Sequence, residues 1–176
     1  MIVLRNKYFS EKEDKNRKPK LSKSDKIALG IAGVGSGLAG YGYGYATHQK
    51  NKTIKRAADI LHNVAKDNCS VRGISTKTKA EALKRARKEW IDQASLYNRL
   101  DDLKLKRAVV KMGLEYDPND KDFQKDFIFA DGALKNKLGK KIGQAGLGIA
   151  GATALYGGYR LYKNRKNKKK DDSTEE

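Results

Sequence analysis

The sequence predicts an all-α protein in which two glycine-rich hydrophobic helices flank a basic helical middle domain. No segment alternates polar and apolar residues as a strand would, and apolar residues recur at three- and four-residue spacing through the middle of the chain. Residues 27–46 and 142–159 contain no charged side chain, although the 176-residue chain has a formal net charge of +18. Fourteen of the seventeen glycines lie in or beside these two uncharged stretches.

Composition divides the chain into five segments. They are a basic flexible arm (1–26), a first Gly-rich hydrophobic helix (27–47), a charged helical domain (48–138), a second Gly-rich helix (139–159) and a basic, then acidic, disordered tail (160–176). Ser24 and Asp25 precede the first apolar run and are expected to cap its helix. The initial apolar run has four residues and precedes the charges, so we expect no cleaved signal peptide.

Small residues in both stretches are spaced for close helix packing. Twenty helical residues span about 30 Å, the thickness of a bilayer's hydrocarbon core. Ridges of small residues let two membrane helices approach closely. We therefore expect the stretches to pair as an antiparallel hairpin, a candidate transmembrane hairpin. The predicted packing residues are Ala28, Ala32, Gly33, Ser36, Gly37, Gly40 and Gly44 on the first helix, and Gly146, Ala150, Ala154 and Gly158 on the second.

Tyrosines and then cations follow each apolar run. This order is typical of a membrane–water interface, where aromatic rings lie at head-group level. The predicted interfacial residues are Tyr41, Tyr43, Tyr45, Tyr156, Tyr159, Arg160 and Lys163. Two alternatives stay open: the Gly-rich helices are buried inside a protein assembly, or they form irregular surface segments.

The middle of the chain is predicted to be helical, with Trp90 in its core. An amphipathic helix is expected over about 51–67, followed by an interruption at 68–73. A second helix is expected to begin near Thr76 or Thr78, and it either continues or restarts at Asp101 and Asp102. Further predicted features are a helix end at Gly113, a turn at 117–120, and a short helix with Phe123 and Phe127 that ends at Asp131–Gly132.

No residue pattern indicates an enzyme, a cofactor, a metal site or a small-molecule substrate. Two GxGxxG matches, at 35–40 and 146–151, lack the strand–turn–helix unit of a dinucleotide site. The acidic residues at 117–122 lack the glycine that a calcium loop requires. His48, His62 and Cys69 have no companions for metal binding or nucleophilic catalysis.

The two uncharged stretches resemble the glycine-zipper segments of membrane-interacting and pore-forming bacterial and phage proteins. With its basic ends and small size, the chain is also similar to small virion-associated proteins of tailed phages, including those ejected with the genome. This resemblance implies a non-enzymatic structural protein in a membrane or virion, with a lipid bilayer as partner and with self-association or contacts to other virion proteins. The positive charge supports an alternative, non-specific nucleic-acid binding or packaging, because phosphate contacts are indifferent to base sequence.

Overall fold

The computed structural model describes residues 22–66, 78–96 and 99–172. The described residues form four helices: α1 (Lys23–Lys66), α2 (Lys79–Leu96), α3 (Leu100–Tyr116) and α4 (Lys121–Asp172). These ranges contain no strand, which confirms the all-α prediction. The predicted arm up to residue 21, the interruption at 68–73 and the last four residues of the tail lie outside the described residues.

Two long helices run antiparallel along each other. α1 has 44 residues and α4 has 52. Gly35 faces Ala150, Gly42 faces Gly143, and Asp25 pairs with Arg160 at the far end. We call residues 22–47 of α1 together with 139–163 of α4 the hairpin. The remainder of both helices forms the head with α2 and α3.

Capping boxes start two of the helices. The Ser22 hydroxyl accepts a hydrogen bond from the Asp25 N–H at 3.2 Å, and the Ser22 N–H donates to an Asp25 carboxylate oxygen at 3.0 Å. Thr78 and Glu81 repeat this reciprocal pattern before α2. Ser22 is therefore the N-cap, whereas the expected caps Ser24 and Asp25 both lie in the first helical turn, where Asp25 completes the capping box.

Two glycines predicted to end helices lie inside them. α3 continues past Gly113 to Tyr116, and α4 runs through Gly132 without interruption. A Cβ on Gly113 would lie 2.7 Å from the Phe123 ring, and one on Gly132 would meet the Thr53 side chain. These glycines permit close packing rather than a turn. α4 also runs on into the predicted disordered tail and ends at Asp172.

The turn predicted at 117–120 is confirmed and serves as a helix cap. The Asp117 N–H donates to the Gly113 carbonyl at 2.9 Å and closes α3. An Asp120 carboxylate oxygen then accepts the N–H groups of Asp122 and Phe123 at 2.7 and 3.3 Å. The turn therefore closes α3 through a backbone N–H and caps the start of α4 through the Asp120 carboxylate.

The head has one hydrophobic core to which all four helices contribute. Trp90 is buried in it, as predicted, and Phe129 and Leu103 are its largest fully buried side chains. The apolar residues Val109 and Met112 of α3 are instead exposed. The buried cluster comprises Ile54, Ala57, Ala58, Leu61, Ala82, Ala86, Trp90, Leu103, Phe129, Ala133 and Leu134.

Candidate functional site

Glycine allows the two hairpin helices to touch backbone to backbone. A Cβ on Gly42 would lie 2.6 Å from the Gly139 carbonyl oxygen, and one on Gly146 would lie 2.6 Å from the Gly35 carbonyl oxygen. Real Cβ atoms essentially never approach another atom so closely. The contact stripe consists of Gly35, Ala39, Gly42 and Ala46 on α1, and Gly139, Gly143, Gly146 and Ala150 on α4.

On α1 this stripe differs from the predicted ridge. Gly33, Gly37, Gly40 and Gly44, which we call the outer stripe, have nothing within 4 Å of the position of a Cβ. Ala28 and Ala32 are half-buried, whereas Ser36 is exposed. On α4, Gly146 and Ala150 belong to the contact stripe, and Ala154 and Gly158 are exposed. The two helices pack closely, but within the chain most of the contact on α1 is made by residues outside the predicted ridge.

Helix geometry explains the difference. A constant four-residue spacing drifts around an α-helix by about 40° per step, because 3.6 residues make one turn. The ridge from Ala28 to Gly44 therefore turns away from a neighbouring helix. The contact stripe alternates spacings of four and three on both helices, which keeps it facing its partner. The outer stripe of α1 has the same alternation, at 33, 37, 40 and 44, so spacing alone does not show which of the two stripes faces α4.

Large apolar side chains point outward from the hairpin. Val34 is 63% exposed, Leu147 54% and Leu155 78%. A helix pair packed in water normally buries such side chains in its seam. Here small residues fill the seam, and the large aliphatic residues lie on the surface beside the glycines that have no contact with the other helix. The outward apolar residues are Ile27, Leu29, Ile31, Val34 and Leu38 on α1, and Ile142, Leu147, Ile149, Leu155 and Leu161 on α4.

Tyrosines lie at both ends of the uncharged zone. Tyr41, Tyr43 and Tyr45 lie at the head end of α1, where the Tyr41 and Tyr45 rings stack at a centroid distance of 6.0 Å. Tyr156 and Tyr159 of α4 are exposed near the opposite end, the tip. Because Arg160 pairs with Asp25, Tyr159 lies near the level of residue 26. About seventeen residues, or roughly 25 Å, separate this level from Tyr43.

Polar contacts hold the helices together at both ends of the zone. At the tip, the Arg160 guanidinium pairs with the Asp25 carboxylate and also donates to the Ser22 hydroxyl at 3.1 Å. Hydrogen bonds from Ser22, and then the charge of Arg160, hold the pKa of Asp25 below its usual value. At the head end, the buried Asn136 amide donates to the Ala46 carbonyl at 2.7 Å. Lys163 is exposed just beyond the tip contact.

Within the described part of the chain, no helix reaches the length and mean hydropathy expected of one that crosses a membrane. Among the same residues, no three His, Cys, Asp or Glu side chains are grouped as metal ligands would be. Comparison with protein-family models, curated proteins and solved structures finds no match to this chain.

Proposed function

We propose that this is a non-enzymatic, membrane-interacting structural protein whose hairpin enters a lipid bilayer as a pre-paired unit. The observation that supports the proposal is the inverted hairpin, with glycine and alanine in its seam and aliphatic side chains on its surface. In a bilayer the hydrophobic effect does not favour burying large apolar side chains between helices, because the lipid tails are equally apolar. Membrane helices therefore associate through small residues, which let their backbones approach closely. Contiguous exposed apolar surface of this kind commonly marks a membrane or protein interaction site.

Pairing changes the surface that a bilayer would meet. The mean hydropathy of a single helix includes residues that the other helix covers once the two are paired. The covered glycines are Gly35 and Gly42 on α1, and Gly139, Gly143 and Gly146 on α4. Nine other glycines of the hairpin have nothing within 4 Å of a Cβ position, so pairing raises the aliphatic share of the outward surface by a modest amount. The tyrosine levels are separated by roughly 25 Å, comparable with a hydrocarbon core of about 30 Å. Insertion as a pair therefore suits this hairpin better than insertion of one helix.

Self-association remains part of the proposal. The four glycines of the outer stripe have no neighbour within 4 Å of a Cβ position. A second hairpin packed there would cover them through close backbone contact of the kind that joins α1 to α4. The resemblance to virion-associated phage proteins supports one setting, in which hairpins delivered with a genome assemble in the target membrane. That setting is supported by the sequence resemblance alone.

The proposal is tested by partition into vesicles, followed by separate high-salt and alkaline washes. Salt strips proteins adsorbed electrostatically, whereas an inserted hairpin stays with the lipid. The test variant is Val34→Asp/Leu147→Asp, and the control is Val109→Asp/Met112→Asp on the head. All four side chains are at least half exposed, and both double variants change the net charge equally.

We expect wild type and the control to survive both washes. Each aspartate in the test variant costs about 3 kcal/mol at the centre of a membrane helix, so the test variant is expected in the supernatant. Circular dichroism in water should show the same helix content for both variants. Retention of the test variant, or loss of wild type in the alkaline wash, contradicts insertion of the hairpin.

Non-specific nucleic-acid binding is the second candidate. A cleft of about 460 Å³ between α1 and α2 is lined by Lys55, Lys79 and Arg87 with a single acid, Asp59. This head cleft offers a polyanion a cationic surface far from the hairpin tip. Neutralised phosphates make affinity for duplex DNA fall steeply with salt. An affinity for duplex DNA that is unchanged between about 50 and 200 mM salt would remove this candidate.

A further inference from the structure

A second cationic cleft lies where the hairpin joins the head. It has a volume of about 480 Å³ and lies between the start of α3 and the middle of α4. We call it the junction cleft. Its lining residues are Arg99, Leu100, Asp101, Lys137, Lys140, Lys141 and Gln144.

The junction cleft is strongly positive. Four of its seven lining side chains are cationic and one is acidic, which gives a formal charge of +3. The acid, Asp101, already pairs with Lys104 at 3.4 Å. Partial burial holds the pKa of Lys137 below its usual value, and the charges of Lys140 and Lys141 add to this effect, while Asp102 opposes it. A bound anion would relieve this repulsion among the cations.

The position of the cleft distinguishes it from other basic surface on the head. Lys140 and Lys141 are the last charged residues of α4 before the uncharged stretch 142–159. Gln144, the third residue of that stretch, adds an amide hydrogen-bond donor. The cleft is thus bordered by charged head on one side and outward-facing aliphatic hairpin on the other. A lipid phosphate has this same placement, between water and acyl chains.

We infer that the junction cleft binds the phosphate of an anionic phospholipid head group, with Arg99, Lys140 and Lys141 as the accessible cations. This inference rests on the proposed function, since it places the cleft at head-group level when the hairpin is in the bilayer. A duplex nucleic acid presents a long row of phosphates and needs a track of cations along the protein. The junction cleft is compact and ends against an apolar surface, which favours a single head group.

The test compares Arg99→Gln/Lys140→Gln/Lys141→Gln with a charge-matched control, Lys55→Gln/Lys79→Gln/Arg87→Gln in the head cleft. Affinity is measured for vesicles of phosphatidylcholine alone and for vesicles that also contain phosphatidylglycerol. Basic residues near an anionic membrane each contribute several-fold in affinity, so the junction variant should lose roughly 100-fold on phosphatidylglycerol vesicles. The control should lose less than about threefold. Ala46 packs against Gly139 beside the junction cleft, and Lys55 lies nine residues further along α1. This is roughly 13 Å, which exceeds a Debye length of about 10 Å.

On vesicles of phosphatidylcholine alone, both variants should resist the alkaline wash as wild type does. This result would show that the substitutions in the cleft leave insertion of the hairpin unchanged. Equal losses in the two variants, or no loss in either, overturn the inference while leaving the proposed function standing. Two further measurements use the full chain with inorganic phosphate and with a DNA duplex. If the junction substitutions lower the affinity for either of these ligands as much as the affinity for phosphatidylglycerol vesicles, the lipid assignment is overturned. If wild type fails the alkaline wash, the proposed function fails, and the lipid assignment that depends on it fails with it.

Discussion

Gly42 and Gly40 are two positions apart on α1 and give opposite expectations for the same substitution to alanine. A Cβ on Gly42 would lie 2.6 Å from the Gly139 carbonyl oxygen and 2.7 Å from the Gly143 Cα. Both are backbone atoms, so neither can rotate away. A Cβ on Gly40 has nothing within 4 Å. The pair of variants therefore isolates the contact between the helices.

The magnitude follows from two effects. Alanine in place of glycine within a helix stabilises by about 0.5–1 kcal/mol, and this gain applies to both positions. At Gly42, restoring an ordinary contact of 3.4 Å requires the helices to separate by nearly 1 Å. Overpacking of this kind costs about 1–3 kcal/mol. Since the propensity gain cancels in the comparison, Gly40→Ala should be more stable than Gly42→Ala by about 1–3 kcal/mol.

Urea unfolding followed by far-ultraviolet circular dichroism measures this difference. The two variants should show similar slopes with denaturant and separated midpoints, with Gly40→Ala above wild type. Gly143→Ala should fall between them, because its Cβ meets the half-exposed Tyr43 ring at 2.8 Å and the ring can rotate. Equal midpoints for Gly40→Ala and Gly42→Ala would refute the backbone-to-backbone seam.

Two further substitutions test the polar groups. Asn136→Ala removes the hydrogen bond to the Ala46 carbonyl and should lower the free energy of unfolding by about 1–2 kcal/mol in the same assay. Burial raises the pKa of Asp126, with Asp122 and Glu89 adding to this and Lys125 and Lys106 opposing it. The folded state therefore holds this proton more tightly, and stability is lost as pH rises through the raised pKa. Asp126→Asn should stabilise at pH 7 by at most about 1 kcal/mol, since the side chain is only partly buried. Well below the ordinary pKa of 3.8, wild type is protonated in both the folded and the unfolded state, so a gain that persists there would contradict this origin.

The class of fold and the pairing of the two stretches could be predicted because they depend on local pattern. Three- and four-residue periodicity predicts helices wherever it occurs, and the absence of charge marks both hairpin segments. The predicted seam on α1 was wrong for a geometric reason. The ridge of constant four-residue spacing from Ala28 to Gly44 rotates around the helix and cannot face one partner along its length. The outer stripe has the same four- and three-residue spacing as the contact stripe, so the choice between these two stripes depends on contacts with α4 that the sequence does not display.

The helix ends predicted at Gly113 and Gly132 could not have been judged from neighbouring residues. Glycine both ends helices and permits close approach within them. Which applies depends on what lies opposite, here the Phe123 ring and the Thr53 side chain. The same dependence on tertiary contacts explains why the sequence did not reveal the junction cleft. Its cations come from the start of α3 and the middle of α4, about forty positions apart.

The central claim is that the outward aliphatic face of the hairpin meets lipid. The most direct measurement places a nitroxide at Val34→Cys in a Cys69→Ser background and compares relaxation by oxygen with relaxation by a nickel chelate in vesicles. Oxygen concentrates in the hydrocarbon core and the chelate stays in water. We predict that the Val34 label is relaxed mainly by oxygen, and that a label at Val109→Cys on the head is relaxed mainly by nickel. Equal access of the chelate to both labels would contradict the account.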